Sequence, residues 1–236
     1  MSTFNFGDVN TTSAVNNSSN LKPWGIYDVE FDGLELNDIQ GKKDPEKTYH
    51  TIKMSFHGEE GSFSTNLFIP SSEDDTKRIE NKSKDGHVYY SPSKFEIFKW
   101  TLLQLVQVVN PEGYEKLKAA SNKITSMDSF IKVIFKFANE KKGAKTKLKL
   151  TGRNNDGKIY PQIPRICGIN KNGECFVSNN FVGNKLEFTA WEASQVMSYK
   201  NTKPTEMPDI ASQVEGVDES SDIDFDSLLS SIDSYF

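Results

Sequence analysis

Three consecutive stretches of this chain alternate apolar and polar residues with a period of two, and no other feature constrains the fold as strongly. Tyr27, Val29 and Phe31 alternate with polar residues over 24–32, and Leu34 and Leu36 continue after Gly33. His50, Ile52, Met54 and Phe56 form the second run; Phe63, Thr65, Leu67 and Ile69, closed by Pro70, form the third. Successive side chains of a strand point to opposite faces, so alternation marks half-buried antiparallel strands. Gly58–Gly61 is a hairpin-length link between the last two runs.

A polar loop is expected over 71–86, and helix signals follow it. Ser93-Lys94-Phe95-Glu96 behind Pro92 fits a capping box, Phe95, Phe98, Leu102, Leu105 and Val109 recur at helical spacing, and Asn110-Pro111 ends the element. A shorter helix is expected over 111–120. A third starts at Thr125-Ser126-Met127-Asp128 and runs to Gly143, although the β-branched and aromatic stretch 130–137 leaves a strand open there. Strands then return. Lys145, Lys147 and Lys149 take one face of a run whose other face carries Thr146, Leu148 and Leu150. Pro161 and Pro164 restrict 158–165 to an edge, a turn or a loop. Residues 166–169 and 174–177 flank Asn170-Lys171-Asn172-Gly173, a hairpin signal, and 185–191 reads as a last strand. The expected fold is mainly β with a helical insert at about 93–142. It resembles the OB barrel, an antiparallel barrel with its helix between the third and fourth strands. An α+β sheet with a helical layer is the alternative.

Charge divides the chain. The nine acids from Glu206 to Asp233 have no Lys or Arg among them, so all 28 basic residues face the other 24 acids within 1–203, a net of +4 there. Residues 132–185 hold twelve basic residues against Glu140, Asp156 and Glu174. This partition suggests a polyanion-binding body and an acidic interaction tail. Low hydrophobic content, 36%, and a mean hydropathy of −0.58 fit a chain that is not packed throughout. Three regions follow: a disordered Asn/Ser-rich arm, 1–22; a body, 23–203; and a flexible acidic tail, 204–236. No stretch approaches the roughly 18 apolar residues of a membrane span. The N-terminus lacks the basic and apolar regions of a signal peptide, and two cysteines make no disulfide scaffold. A soluble, cytoplasmic protein is expected.

Catalytic signals are sparse. His50, His57 and His87 make no metal-spaced cluster, and His50 reads as a partly buried core residue. Cys167 and Cys175 are eight residues apart, cross-strand neighbours at best, with no second ligand pair for zinc. No phosphate-binding loop, GxSxG or HExxH is present. Asp28, Glu30 and Asp32 form a carboxylate row that a Mg²⁺-dependent nuclease would need, or simply the wet face of a strand. Neither enzyme activity, a metal nor a cofactor is expected.

Single strands of nucleic acid are held by a basic groove and aromatic platforms, because phosphates need cations and every base offers a π-face. Lys145, Lys147 and Lys149 recur at about 6.6 Å along a strand, close to the repeat of an extended phosphate chain. Arg153, Lys158, Tyr160 and Arg165 come next, then Phe176 and Phe181. The same residues would otherwise form an exposed strand edge and core. In the tail, Asp222, Asp224, Asp226 and Asp233 are interleaved with Phe225, Leu228, Leu229 and Ile232, and the chain ends Tyr235-Phe236. Phe225, Leu228, Leu229 and Ile232 would make one stripe on a short helix capped by Ser221, suited to a partner's groove.

A basic body of strand–helix–strand order over 24–200 joined to an acidic tail ending in Phe236 resembles the single-stranded DNA-binding proteins of bacteriophage replication, in particular the T7-like group. The resemblance implies an OB fold carrying the DNA groove. It also implies a tail that recruits polymerase and helicase or primase partners and competes with DNA. Phosphate contacts would then fall to Lys145, Lys147, Lys149, Arg153, Lys158 and Arg165. Stacking would fall to Tyr160, Phe176 and Phe181, with Trp24 and Trp191 in support. Functions in DNA replication, recombination and repair follow from it, and a homo-oligomer is left open. A protein–protein adaptor is the competing expectation.

Overall fold

A computed structural model describes residues 20–41, 44–170 and 172–201. The arm before Asn20 and the whole acidic tail, with the partner-binding residues assigned to Asp222–Phe236, lie outside the described residues.

The three alternating runs are strands. β1 (Gly25–Gln40), β2 (Thr48–Gly58) and β3 (Gly61–Phe68) form an antiparallel meander. Cross-strand register aligns their apolar faces: Phe31, Phe56 and Phe63 make one row, and Leu36, Ile52 and Leu67 another. The register slips between Phe31 and Gly33, where Gly33 takes φ +131°, a conformation that strains any residue with a Cβ.

The stretch 71–86 is not a plain loop. A one-turn 3₁₀ helix at Glu73–Thr76 is capped by Ser72, and β4 (Ile79–Lys82) pairs with β5 (Val88–Ser91). Arg78 makes three hydrogen bonds to Glu96, and Lys94 reaches Asp75 at 2.6 Å, fastening this hairpin to the first helix. The Lys94 bond, with others from Ser72 and Ser71, holds the Asp75 carboxyl well below the usual carboxylate range.

Helix α1 (Lys94–Val109) begins at the expected capping box, Ser93 with Glu96. It is followed by α2 (Pro111–Ala119) and α3 (Met127–Asn139), so 130–137 is helical. The cap of α3 is Ser126 with Ser129, one residue beyond the expected Thr125. The side chain of Asn139, at the end of α3, accepts from Leu34 N–H at 2.8 Å and donates to its carbonyl at 3.1 Å. It thereby stands in for a neighbouring strand just past the slip in β1.

β6 (Lys145–Asn155) pairs with the first half of β1, Gly25–Glu30, and β7 (Lys158–Gln162) pairs with β6. Asp156 and Gly157 both have positive φ, as a two-residue hairpin turn requires. β8 (Cys167–Ile169) and β9 (Cys175–Val177) form the expected second hairpin. Cys167 lies opposite Val177 and Cys175 opposite Ile169, so the thiols are offset along the ladder and both are free. The expected strand over 185–191 is absent. That stretch is irregular, and α4 (Ala190–Asn201) begins inside it. Its N-terminus is fixed by Thr189 and Glu192, which bond to each other's backbone N–H at 3.2 and 2.9 Å.

The fold is therefore mixed α+β. Its main sheet is antiparallel, with the order β3-β2-β1-β6-β7, and α1–α3 fall between β3 and β6. No barrel closes among the described residues. The outer edge of β3 is met at Ser62 by Asn20 and Leu21, and β7 stops at Gln162 between Pro161 and Pro164. Leu21 is 1% exposed, so the body begins inside the arm expected at 1–22. One core joins Phe31, Leu34, Ile52, Met54 and Phe56 of the sheet to Leu102, Leu105, Ile134 and Phe137 of the helices. The other face of the sheet is polar. No helix among the described residues is long and apolar enough to cross a membrane.

Candidate nucleic-acid interface

The expected lysine track lies on the polar face, and most of it is already engaged. Lys147 pairs with Asp28 at 2.7 Å, and Lys145 lies 3.6 Å from Glu30. Both pairs follow from register, since Asp28 is opposite Lys147 and Glu30 opposite Lys145. Lys149 is 1% exposed. The chain at 179–192 covers it: residues 181–183 run along the edge of β6, where the Lys149 backbone N–H donates to the Phe181 carbonyl, and the Lys149 ammonium donates to the Asn179 amide oxygen, to the Glu187 carbonyl at 2.8 Å and to Glu192 at 3.1 Å. Lys149 is thus withdrawn from phosphate contact. Burial acts to raise the Glu192 carboxyl, but hydrogen bonds from the Thr189 N–H, Asn179 and Lys149 outweigh it and hold the group below its ordinary value.

The carboxylate row is spoken for in the same way. Asp32 lies 2.5 Å from His57, which also stands 3.8 Å from Glu30. Among the described residues no three His, Cys, Asp or Glu side chains are placed to hold a metal. His50 is not in the core. Its side chain is largely exposed and bonded to Asp38 at 2.8 Å, because the apolar rows begin only at Ile52, two residues further into β2.

The remaining cations are spread along the β6–β7 hairpin, beyond the part of β6 that pairs with β1. Arg153 faces Tyr160 across the β6–β7 ladder, Thr151 faces Gln162, and these four share one side of the ribbon. Arg153, Lys158 and Arg165 are exposed and have no ion pair among the described residues. Beside them a cleft of about 390 Å³ is lined by Thr151, Gln162, Arg165, Trp24, Trp191 and Glu192, among others. Trp191, in the first turn of α4, is 65% exposed and meets Trp24 edge-on with ring centroids 6.1 Å apart. Trp24 has φ +62°, uncommon for a bulky side chain, and its ring lies over Gly152, where a Cβ would come within 2.3 Å of the indole nitrogen.

The structure thus brings Arg165 together with Trp24 and Trp191 around one cleft, and Arg153 together with Tyr160 across the β6–β7 ladder, with Lys158 at the tip of that hairpin. Phe181 is not among them; it is wholly buried in the core. Phe176 is 43% exposed on β9, its ring over Gly168. An aromatic pair, the half-buried Tyr49 and the exposed Phe68, escaped sequence reasoning. Tyr49 and Phe68 meet edge-on at 5.8 Å on the polar face, with the Lys47 ammonium 5.0 Å from the Tyr49 centroid. The signal was parity: Phe68 falls between the inward Leu67 and Ile69, and Tyr49 just ahead of the inward-reading His50. Comparison of the chain with protein-family models, curated proteins and solved structures gives no match.

Proposed function

We propose that this protein is a non-catalytic binder of single-stranded DNA, working in phage-type DNA replication or recombination, and that the β6–β7 end of its sheet is where bases stack. The observation that carries the reading is the exposed Trp191 held edge-on to a conformationally constrained Trp24 in a cleft shared with the unpaired cation Arg165, with Arg153 and Lys158, also unpaired among the described residues, farther along the β6–β7 hairpin. An exposed indole costs solvation in the free protein and gains it back against a nucleobase. Tyr160, opposite Arg153, supplies a second platform. Lys145 and Lys147 contribute only as their carboxylate partners give way to phosphate, and Lys149 supports the platform from inside. The sheet order, with helices before the fourth main strand, supports an OB-like sheet left open at its last edge. In this reading the acidic tail recruits replication partners.

Titration of the full-length protein with oligo-dT, followed by tryptophan fluorescence at several salt concentrations, tests the proposal. Quenching that weakens with salt is expected, and Trp191→Ala should weaken binding roughly tenfold or more, as for one lost stacking partner. Absence of salt-dependent binding by the wild-type chain would sink the proposal and favour a protein–protein adaptor. Metal-dependent cleavage of the oligonucleotide would instead make it a nuclease.

A further inference from the structure

The three helices leave an apolar groove on the side of the molecule that the sheet does not cover. Phe95, Leu103, Tyr114, Ile124 and Met127 are half-buried around it, Phe130 and Leu117 lie at its base, and its volume is about 500 Å³. Lys99 and Lys118 stand exposed at its rim. Lys118 is shared with Glu115, and Lys99 has no carboxylate partner among the described residues. No acidic side chain lines the groove among the described residues.

We propose that this groove is the docking site of the chain's own C-terminal segment, residues 222–236. Three observations converge on that occupant. Phe225, Leu228, Leu229 and Ile232 are spaced i, i+3, i+4, i+7, the anchor pattern of a helix laid in a groove. Those anchors span about 10 Å of helix, and the α1 wall from Phe95 to Leu103 spans about 12 Å. Asp222, Asp224 and Asp226 at the head of the segment complement Lys99 and Lys118, within a tail that contains no cation to oppose them. Reach is no obstacle: the twenty residues between Asn201 and Asp222 extend to about 66 Å. The cleft beside Trp191 is a poorer host, being smaller and lined by Thr151, Gln162, Asn179 and Glu192. This docking does not depend on DNA binding. The same anchors would be hidden from a partner until the segment leaves the groove.

Zero-length carbodiimide coupling of lysines to carboxylates in the dilute full-length protein, with peptide mapping by mass spectrometry, tests it. Lys99 and Lys118 are expected to couple to Asp222, Asp224 or Asp226 within one chain. Leu228→Ser with Leu229→Ser leaves every coupling group in place and should lower those products more than about tenfold, because the apolar anchors hold the segment. Products unchanged in that variant, products concentrated at Lys145, Lys147 or Lys158, or none from the tail, would each overturn the proposal. So would products that join labelled to unlabelled chains in an isotope mixture, which would place a second copy's tail in the groove.

Discussion

The Lys149 ammonium is held by Asn179, Glu187 and Glu192, all from the chain segment that runs along the edge of β6 and covers Lys149. Removing one member of a buried ion pair strands the other charge, at a cost of about 3–5 kcal/mol. Glu192→Gln is therefore expected to lower the unfolding free energy by about 3 kcal/mol at pH 7, measured by urea denaturation. The pH dependence has a definite sign. Glu192 sits below its ordinary value in the folded state, so its contribution is full above the unfolded value near 4.3 and is lost as pH falls through the folded one. Wild type and Glu192→Gln should converge as the medium is acidified below about pH 4.3. A gap that stays constant with pH would show that the carboxylate charge is not what holds Lys149. Arg153 makes a contrasting case, exposed and without an ion pair among the described residues. Arg153→Ala should leave the urea midpoint nearly unchanged and reduce the slope of log affinity for oligo-dT against log salt by about one. Sequence could not separate the two residues. Both alternate onto the same strand face, and only a segment thirty residues later decides which is covered.

Elements whose instructions are local were legible, and those specified by distant contacts were not. The meander of β1–β3 follows from alternation, and α1 from Ser93 with Glu96, because each is written within one or two turns of chain. Barring β7 from the sheet interior needed only Pro161 and Pro164. The misread stretch 185–191 shows the limit. Leu186, Phe188 and Ala190 alternate as in a strand, yet Lys149 and Asn179 bind this segment through the Glu187 carbonyl and Glu192, and no ladder partner is offered to it. A signal was nonetheless present: Thr189-Ala190-Trp191-Glu192 is itself a capping-box sequence, and it sets the start of α4. That cap also fixes the helix turn bearing Trp191. Thr189→Ala is expected to cost about 1 kcal/mol in urea denaturation. It should also weaken oligo-dT binding, since a frayed first turn no longer holds the indole against Trp24. Intact affinity in that variant would show that Trp191 needs no preset position. The β4–β5 hairpin had no such signal; its four-residue strands are secured by Arg78 with Glu96, eighteen residues apart.

At the scale of the whole molecule, charge is arranged differently from what residue counts suggest. The basic stretch 132–185 folds so that Lys145, Lys147 and Lys149 each meet a carboxylate from another part of the chain, leaving a small cationic area at one end of the sheet. The nine acids after Lys203 are tethered to a body of modest positive charge, so approach of a polyanion is opposed wherever the tail rests. That opposition acts through solvent, over a Debye length of about 10 Å at 0.1 M salt and about 3 Å at 1 M. Replacing Asp222, Asp224, Asp226 and Asp233 by Asn should therefore raise oligo-dT affinity several-fold at about 0.05 M salt, with the gain shrinking steadily as salt approaches 1 M. Leu228→Ser with Leu229→Ser keeps every acid and should not reproduce that gain. If the apolar pair raised DNA affinity as much as the neutralised tail, the tail would be blocking the DNA site by contact. A gain confined to the neutralised tail would mean that the acids repel DNA at a distance while the apolar anchors serve a different surface.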